Sequence, residues 1–149
     1  MNKLKEIEEI KQLKSRYFRC LDAKDWPGLA ACLTNDVAFD YPPGKIHVSG
    51  SKELIANFSK RHATTVTAHT GSMPDIELKD TYHAEGNWFM TDYIIGTDDK
   101  KQQTITQGFG RYFESYFREN GKWLIKSIVL ERSIIINPQV NIVLPSNKY

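Results

Sequence analysis

Apolar side chains recur every three or four residues at the start of the chain, at Leu4, Ile7, Ile10, Leu13, Tyr17 and Leu21. This spacing predicts one long amphipathic helix with a single inward stripe. A shorter helix is predicted through Trp26, Leu29, Ala30 and Leu33, with Asp25 as its N-cap, Pro27 accommodated in its first turn, and Asn35 and Asp36 closing it. Residues 37–41 read as a short strand that Pro42, Pro43 and Gly44 break into a loop. Leu54, Ile55 and Phe58 then mark the inward face of a third helix over residues 51–61, with Ser51 as N-cap.

Beyond residue 63 the period changes from helical to alternating, which predicts strands near residues 65–78, 82–96, 103–118 and 122–136. Asn120 and Gly121 form the strongest hairpin signal, because a type I′ turn needs positive φ at both central positions. Residues 97–101 supply a second polar turn. Helices first and a long antiparallel meander second predict a segregated α+β domain, in which a curved sheet wraps the helices. The whole chain reads as a single domain over residues 1–149: mainly helical to residue 62, a sheet over 63–136 and a tail over 137–149.

Composition narrows the function classes. Among 149 residues, 20 basic and 18 acidic side chains are interspersed, without the Lys/Arg block of a nucleic-acid stripe or a polybasic membrane segment. The first ten residues are charged and amphipathic rather than signal-like, and no apolar run approaches the roughly 20 residues that span a bilayer. The expectation is a cytoplasmic protein with neither nucleic acid nor membrane as partner. Cys20 and Cys32 fall within apolar helical patterns and are read as buried reduced thiols, with a disulfide between them as the alternative.

Several residues could carry acid/base chemistry. His69 shares an alternating face with Thr67 and Gly71, whose small size leaves room beside the ring; it reads either as a proton carrier or as a hydrogen-bonded core histidine. Asp22 stands at the C-terminal end of the first helix, where a carboxylate opposes the helix dipole, so it is either a surface residue or one that orients an imidazole. Tyr17, five residues earlier, points about 140° away on an ideal helix, so the two meet in one cavity only if Asp22 lies past the last regular turn. Asp92 alternates with Trp88, Met90 and Ile94, while the opposite face, with Phe89, Tyr93 and Ile95, is equally apolar, and either face could be inward. Arg132, in phase with Ile128, Leu130 and Ile134, poses the same question, and a structural ion pair is its simplest role. Tyr41, Tyr112 and Tyr116 could donate to a bound carbonyl or serve as half-buried packing residues. The four histidines, His47, His62, His69 and His83, show no zinc-ligand spacing, and there is no phosphate loop or nucleophile elbow, so no metal or nucleotide cofactor is expected.

Taken together, these positions resemble the SnoaL-like branch of the nuclear transport factor 2-like superfamily, along nearly the whole chain to about residue 137. The segments Ile10-Lys-Gln-Leu-Lys14, Tyr17-Phe-Arg-Cys-Leu-Asp22, His69-Thr-Gly leading to Pro74, and Trp88 through Asp92 resemble bile-acid 7α-dehydratases. Asp22-Ala-Lys-Asp-Trp26 and Asp40-Tyr41 are similar to scytalone dehydratase, although Leu21 stands where that family has a catalytic tyrosine. Hexachlorocyclohexane dehydrochlorinase shares the Asp22 and His69 arrangement.

The resemblance implies a cone-shaped cystatin-like fold. It also implies a catalytic group of Tyr17, Asp22, His69 and Asp92, with Tyr41, Met73, Trp88, Tyr112 and Arg132 as candidate substrate contacts. The implied activity is a cofactor-independent dehydratase acting on a hydroxylated enone or a steroid-like or polycyclic small molecule. A ketosteroid-type isomerase or polyketide cyclase, and the non-catalytic small subunit of a ring-hydroxylating oxygenase, are the alternatives. By the same resemblance, self-association as a homotrimer or homodimer is expected; separately, the late apolar run Ile134, Ile135 and Ile136 and the tail with Pro138 and Pro145 could close either the pocket or an interface.

Overall fold

The computed structural model describes residues 2–137, so the expectation for Pro138, Pro145 and their surroundings lies outside the described residues. The first helix, α1 (Lys3–Ala23), starts at Asn2, whose side chain accepts from the Lys5 N–H, and ends where Lys24 turns left-handed at φ 58°. Its inward stripe holds Ile10, Leu13, Tyr17 and Leu21. Leu4 falls outside that stripe and is exposed, whereas Glu6 and Lys14 are buried. The helix α2 (Trp26–Ala30) is capped by Asp25, which accepts from the Gly28 N–H at 2.9 Å.

That second helix stops short of Leu33. The Ile125 N–H donates to the Cys32 carbonyl at 2.9 Å and draws the chain into the sheet, so Leu33 opens the strand β1 (Leu33–Tyr41). Asn35 and Asp36 do not end a helix. They are exposed within an irregularity between Leu33 and Ala38, and Asp36 pairs with Lys126. A 3₁₀ turn over Pro42–Gly44 leads to β2 (Ile46–Ser49), a strand too short and too polar to stand out in the hydrophobic pattern. The helix α3 (Ser51–Arg61) follows; its N-cap is Gly50 at φ 94°, and Ser51 is its first helical residue rather than its cap.

Four long strands complete the fold: β3 (Val66–Leu78), β4 (His83–Thr97), β5 (Gln103–Glu119) and β6 (Lys122–Ile136). Asn120 and Gly121 join the last two with φ of 49° and 78°, the pair of positive values that a type I′ turn requires. The six strands form one sheet in the order β2-β1-β6-β5-β4-β3. It is mixed rather than purely antiparallel, because β1 runs parallel to β6. A parallel neighbour so far away in sequence is reached through a crossover that no local pattern reveals.

Alternation along β4 places Ala84, Trp88, Met90 and Asp92 inward, which settles the face: Tyr93 lies on the other side and is exposed. Along β6 the alternation breaks. Gly110 pairs with Arg132 but Phe109 pairs with Ile134, so Ser133 is an extra residue. Arg132 therefore shares the inner face with Ile128 and Leu130, while Ile134 turns out to solvent. The helices pack on the concave inner face, and Ile10, Leu13, Leu29, Leu54, Met90, Ile125 and Ile128 fill the space between them. Cys20 and Cys32 are both buried and free, as expected.

Candidate active site

A cavity of about 60 Å³ lies between α1, α3 and the inner face of the sheet. Five residues anticipated from the sequence line it, namely Tyr17, Tyr41, His69, Tyr112 and Arg132. Phe39, Phe58, Ile94 and Leu130 make much of the remaining wall apolar. A larger groove of about 610 Å³ runs along the sheet past Asp75, Glu77, Glu85 and Phe113, but no histidine borders it.

His69 is held from behind by Asp22. One carboxylate oxygen lies 2.6 Å from Nδ1 and also accepts from the Thr67 hydroxyl at 2.9 Å, while the other accepts the His69 backbone N–H at 2.9 Å. An ionised carboxylate only accepts, so Nδ1 is the donor in this contact, and in the neutral imidazole it is Nε2 that keeps the lone pair. Asp22 achieves this from within the last turn of α1. It does not need to lie past the helix, because it acts through His69 and does not itself line the cavity.

Asp92 stands on the other side of the ring, 4.0 Å from Nε2, and its side chain is fully buried. It forms an ion pair with Arg132, whose guanidinium also lies over the Tyr41 ring at 5.2 Å from the centroid. Burial alone would loosen the Arg132 proton, but the charge and hydrogen bond of Asp92, together with Tyr41, hold its affinity above the ordinary value. The pair fits because residue 108 is glycine: a Cβ there would sit 2.9 Å from Arg132 Nε and closer still to the Asp92 carboxylate. Asp92 Oδ1 and Arg132 Nε are buried without a hydrogen-bond partner, and both border this glycine.

Burial pushes the Tyr17 and Tyr112 hydroxyls up, and the nearby Glu114 charge pushes in the same direction, so both remain neutral donors. Beneath them lies a group the hydrophobic pattern did not reveal. The Lys14 ammonium is fully buried 4.5 Å from the Tyr17 ring centroid and 4.0 Å from that of Tyr112, and it pairs with Glu114. Tyr116 donates to Glu114 at 2.5 Å and accepts from Trp88 Nε1 at 2.8 Å.

Two expected substrate contacts are therefore placed elsewhere. Trp88 and its indole N–H belong to this buried chain rather than to the cavity wall. Met73 is 76% exposed at φ 46°, inside the irregularity of β3 between Ser72 and Asp75. The alternation of β3 carries His69 inward but is interrupted before it reaches Met73.

The structure also adds Arg61 and His62 to the wall. They end α3, and His62 serves as its C-cap. Burial, followed by the charges of His69, Arg61 and Lys24, pushes the His62 imidazole down to about 4. A histidine at a helix end usually answers the helix dipole, so its sequence position did not mark it as a cavity residue.

Residues 2–129 match the SnoaL-like domain family. The chain belongs to this family. Its fold is the nuclear transport factor 2-like fold that the family's helices and curved sheet build. A candidate scytalone dehydratase from Novosphingobium aromaticivorans superposes with a TM-score of 0.81 at 20% identity, covering 99% of this chain and 97% of that one. A type 2 hexachlorocyclohexane dehydrochlorinase gives 0.81 at 15% identity, with 97% of each chain covered. A candidate aromatic ring hydroxylase, also from Novosphingobium aromaticivorans, gives 0.74 at 17% identity over 87% and 90% of the two chains. At these identities the likeness is one of fold. The candidate site rests on this SnoaL-like chain's own Asp22–His69 geometry. Among the described residues no group of His, Cys, Asp and Glu is arranged to hold a metal ion, and no helix is long and apolar enough to cross a membrane.

Proposed function

We propose that this SnoaL-like protein is a cofactor-independent dehydratase acting on a small hydroxylated carbonyl compound or enone. The observation that carries this reading is the 2.6 Å contact of Asp22 with His69 Nδ1, which leaves Nε2 available as a base on the cavity wall.

In the proposed reaction Nε2 takes a proton from a carbon activated by a carbonyl or enone. The electron pair moves onto the carbonyl oxygen, where Tyr17 or Tyr112 donates a hydrogen bond that strengthens as the charge builds. The imidazolium then returns its proton to the departing hydroxyl, water leaves, and the enolate electrons close the new double bond. Asp92, 4.0 Å from Nε2, stabilises the imidazolium between these steps. The net change is loss of one water from the substrate.

At about 60 Å³ the cavity is far smaller than the roughly 300–1,000 Å³ of a pocket that holds a drug-sized ligand. That favours a compact substrate over the steroid-sized end of the expected range, which needs wall side chains to move. Isomerisation draws on the same base and differs only in whether water departs. The test is near-ultraviolet absorbance and product mass for purified protein mixed with small hydroxy-enones, alongside His69→Ala. Lengthened conjugation with loss of one water, absent in the variant, supports the reading. Conversion without a mass change points to an isomerase, and undiminished turnover in His69→Ala removes His69 as the base.

A further inference from the structure

Among the described residues the cavity wall carries basic side chains and no carboxylate. Arg61, His62, His69 and Arg132 line it together with three tyrosines. The charge of Arg132 is met from behind by Asp92, and His69 is held by Asp22. Arg61 is exposed and, among the described residues, has neither a hydrogen bond nor an ion pair. A basic residue in the last turn of α3 answers the helix dipole, but Lys60 beside it already does so. That leaves unexplained why the Arg61 side chain borders the cavity. Lys24 brings a second positive charge within reach of His62, anchored by its ammonium on the Thr65 carbonyl at 2.6 Å. Burial first, and then the charges of His69, Arg61 and Lys24, keep the ring of His62 neutral.

From this arrangement we infer that the cavity takes a carboxylate-bearing molecule, with the carboxylate held at the rim by Arg61 and the apolar part directed inward toward His69. A guanidinium offers two parallel N–H donors that match a carboxylate, which a neutral polar rim would not. At an exposed rim the anion keeps part of its hydration, so it avoids the penalty of burying a charge. The rim also sets direction, because an anion fixed there leaves only the apolar portion to enter the cavity. The choice of substrate rests on the dehydratase reading: a small hydroxy-ketone or hydroxy-enone that also bears a carboxylate, so that its carbonyl still activates the reacting carbon beside His69 while the carboxylate stays at the rim.

The test is equilibrium binding, which needs no turnover. trans-2-Hexenoate and its neutral amide are titrated into the full-length protein, with the ring C–H signals of His62 and His69 followed by NMR. Hexenoate is expected to bind about tenfold or more tightly than the amide, the size of one charge-assisted hydrogen bond. Arg61→Gln should bring hexenoate down to the affinity of the amide without moving the amide itself, and Arg61→Lys should keep part of the preference. Equal binding of the two probes, a preference that survives Arg61→Gln, or no shift with either probe at millimolar concentration overturns the inference. Pentyl phosphate binding more tightly than hexenoate overturns the carboxylate assignment in favour of a phosphate ester. A hexenoate preference without any elimination activity would fault the dehydratase reading alone, whereas elimination without the preference would fault only the rim.

Discussion

Asp22 grips His69 twice, accepting from Nδ1 at 2.6 Å through one oxygen and from the same residue's backbone N–H at 2.9 Å through the other. The ring orientation and the strand position are thus set by one carboxylate. Asp22→Asn puts an amide where the acceptor pair stood and disturbs the tautomer that exposes the Nε2 lone pair. Turnover should fall by about 10²-fold or more with substrate affinity much less affected, as read from kcat and KM separately.

Glycine at position 108 leaves the space that the Asp92–Arg132 pair occupies. Gly108→Ala forces that buried pair apart or shifts the strand. A loss of about 2 kcal/mol or more is expected in urea unfolding, together with reduced turnover because Asp92 moves away from Nε2. Unchanged stability would show that the pair has room to shift.

Lys14 and Glu114 are both buried, so removing one leaves the other without a counter-charge. Burial lowers the proton affinity of Lys14 against the pull of Glu114. Lys14→Met should cost about 3–5 kcal/mol in chemical denaturation, and Lys14→Met combined with Glu114→Gln should recover a good part of it. If the single variant is as stable as the parent, the pair contributes nothing net to folding.

His62 carries a pH signature. Its folded-state value is pushed down to about 4 from an ordinary 6.5, mainly by burial, so the unfolded chain binds the proton more readily than the folded one. The contribution of His62 to stability is therefore complete above pH 6.5 and is lost as pH falls from there through about 4. His62→Gln should flatten this part of the stability profile, and the ring C–H resonance of His62 should titrate near the lower value. Titration of that resonance at its ordinary position would contradict the placement of the ring.

Much of the candidate site was legible because it rests on local periodicity. The two-residue alternation of β3 carries His69 inward with Thr67, and that of β5 does the same for Tyr112. Where alternation breaks, the sequence misleads: Met73 lies in a bulge and is exposed, and Ile134 parts from Arg132 at Ser133. Arg61 and His62 carry no such local mark, because reaching the cavity depends on how α3 sits over the sheet, which a helix-end position does not encode.

From the sequence alone follow the three helices, the long strands, the Asn120-Gly121 turn and the residues with acid/base potential, since each depends on side-chain spacing over a few neighbouring positions. The tertiary structure decided the rest. It set the parallel pairing of β1 with β6, the buried Lys14–Glu114 pair, the role of Trp88 as a partner of Tyr116 rather than a cavity wall, and the choice of inner face for Asp92. These are contacts between residues far apart in the chain, and their free energy depends on distance and burial in the folded molecule, which local spacing does not encode.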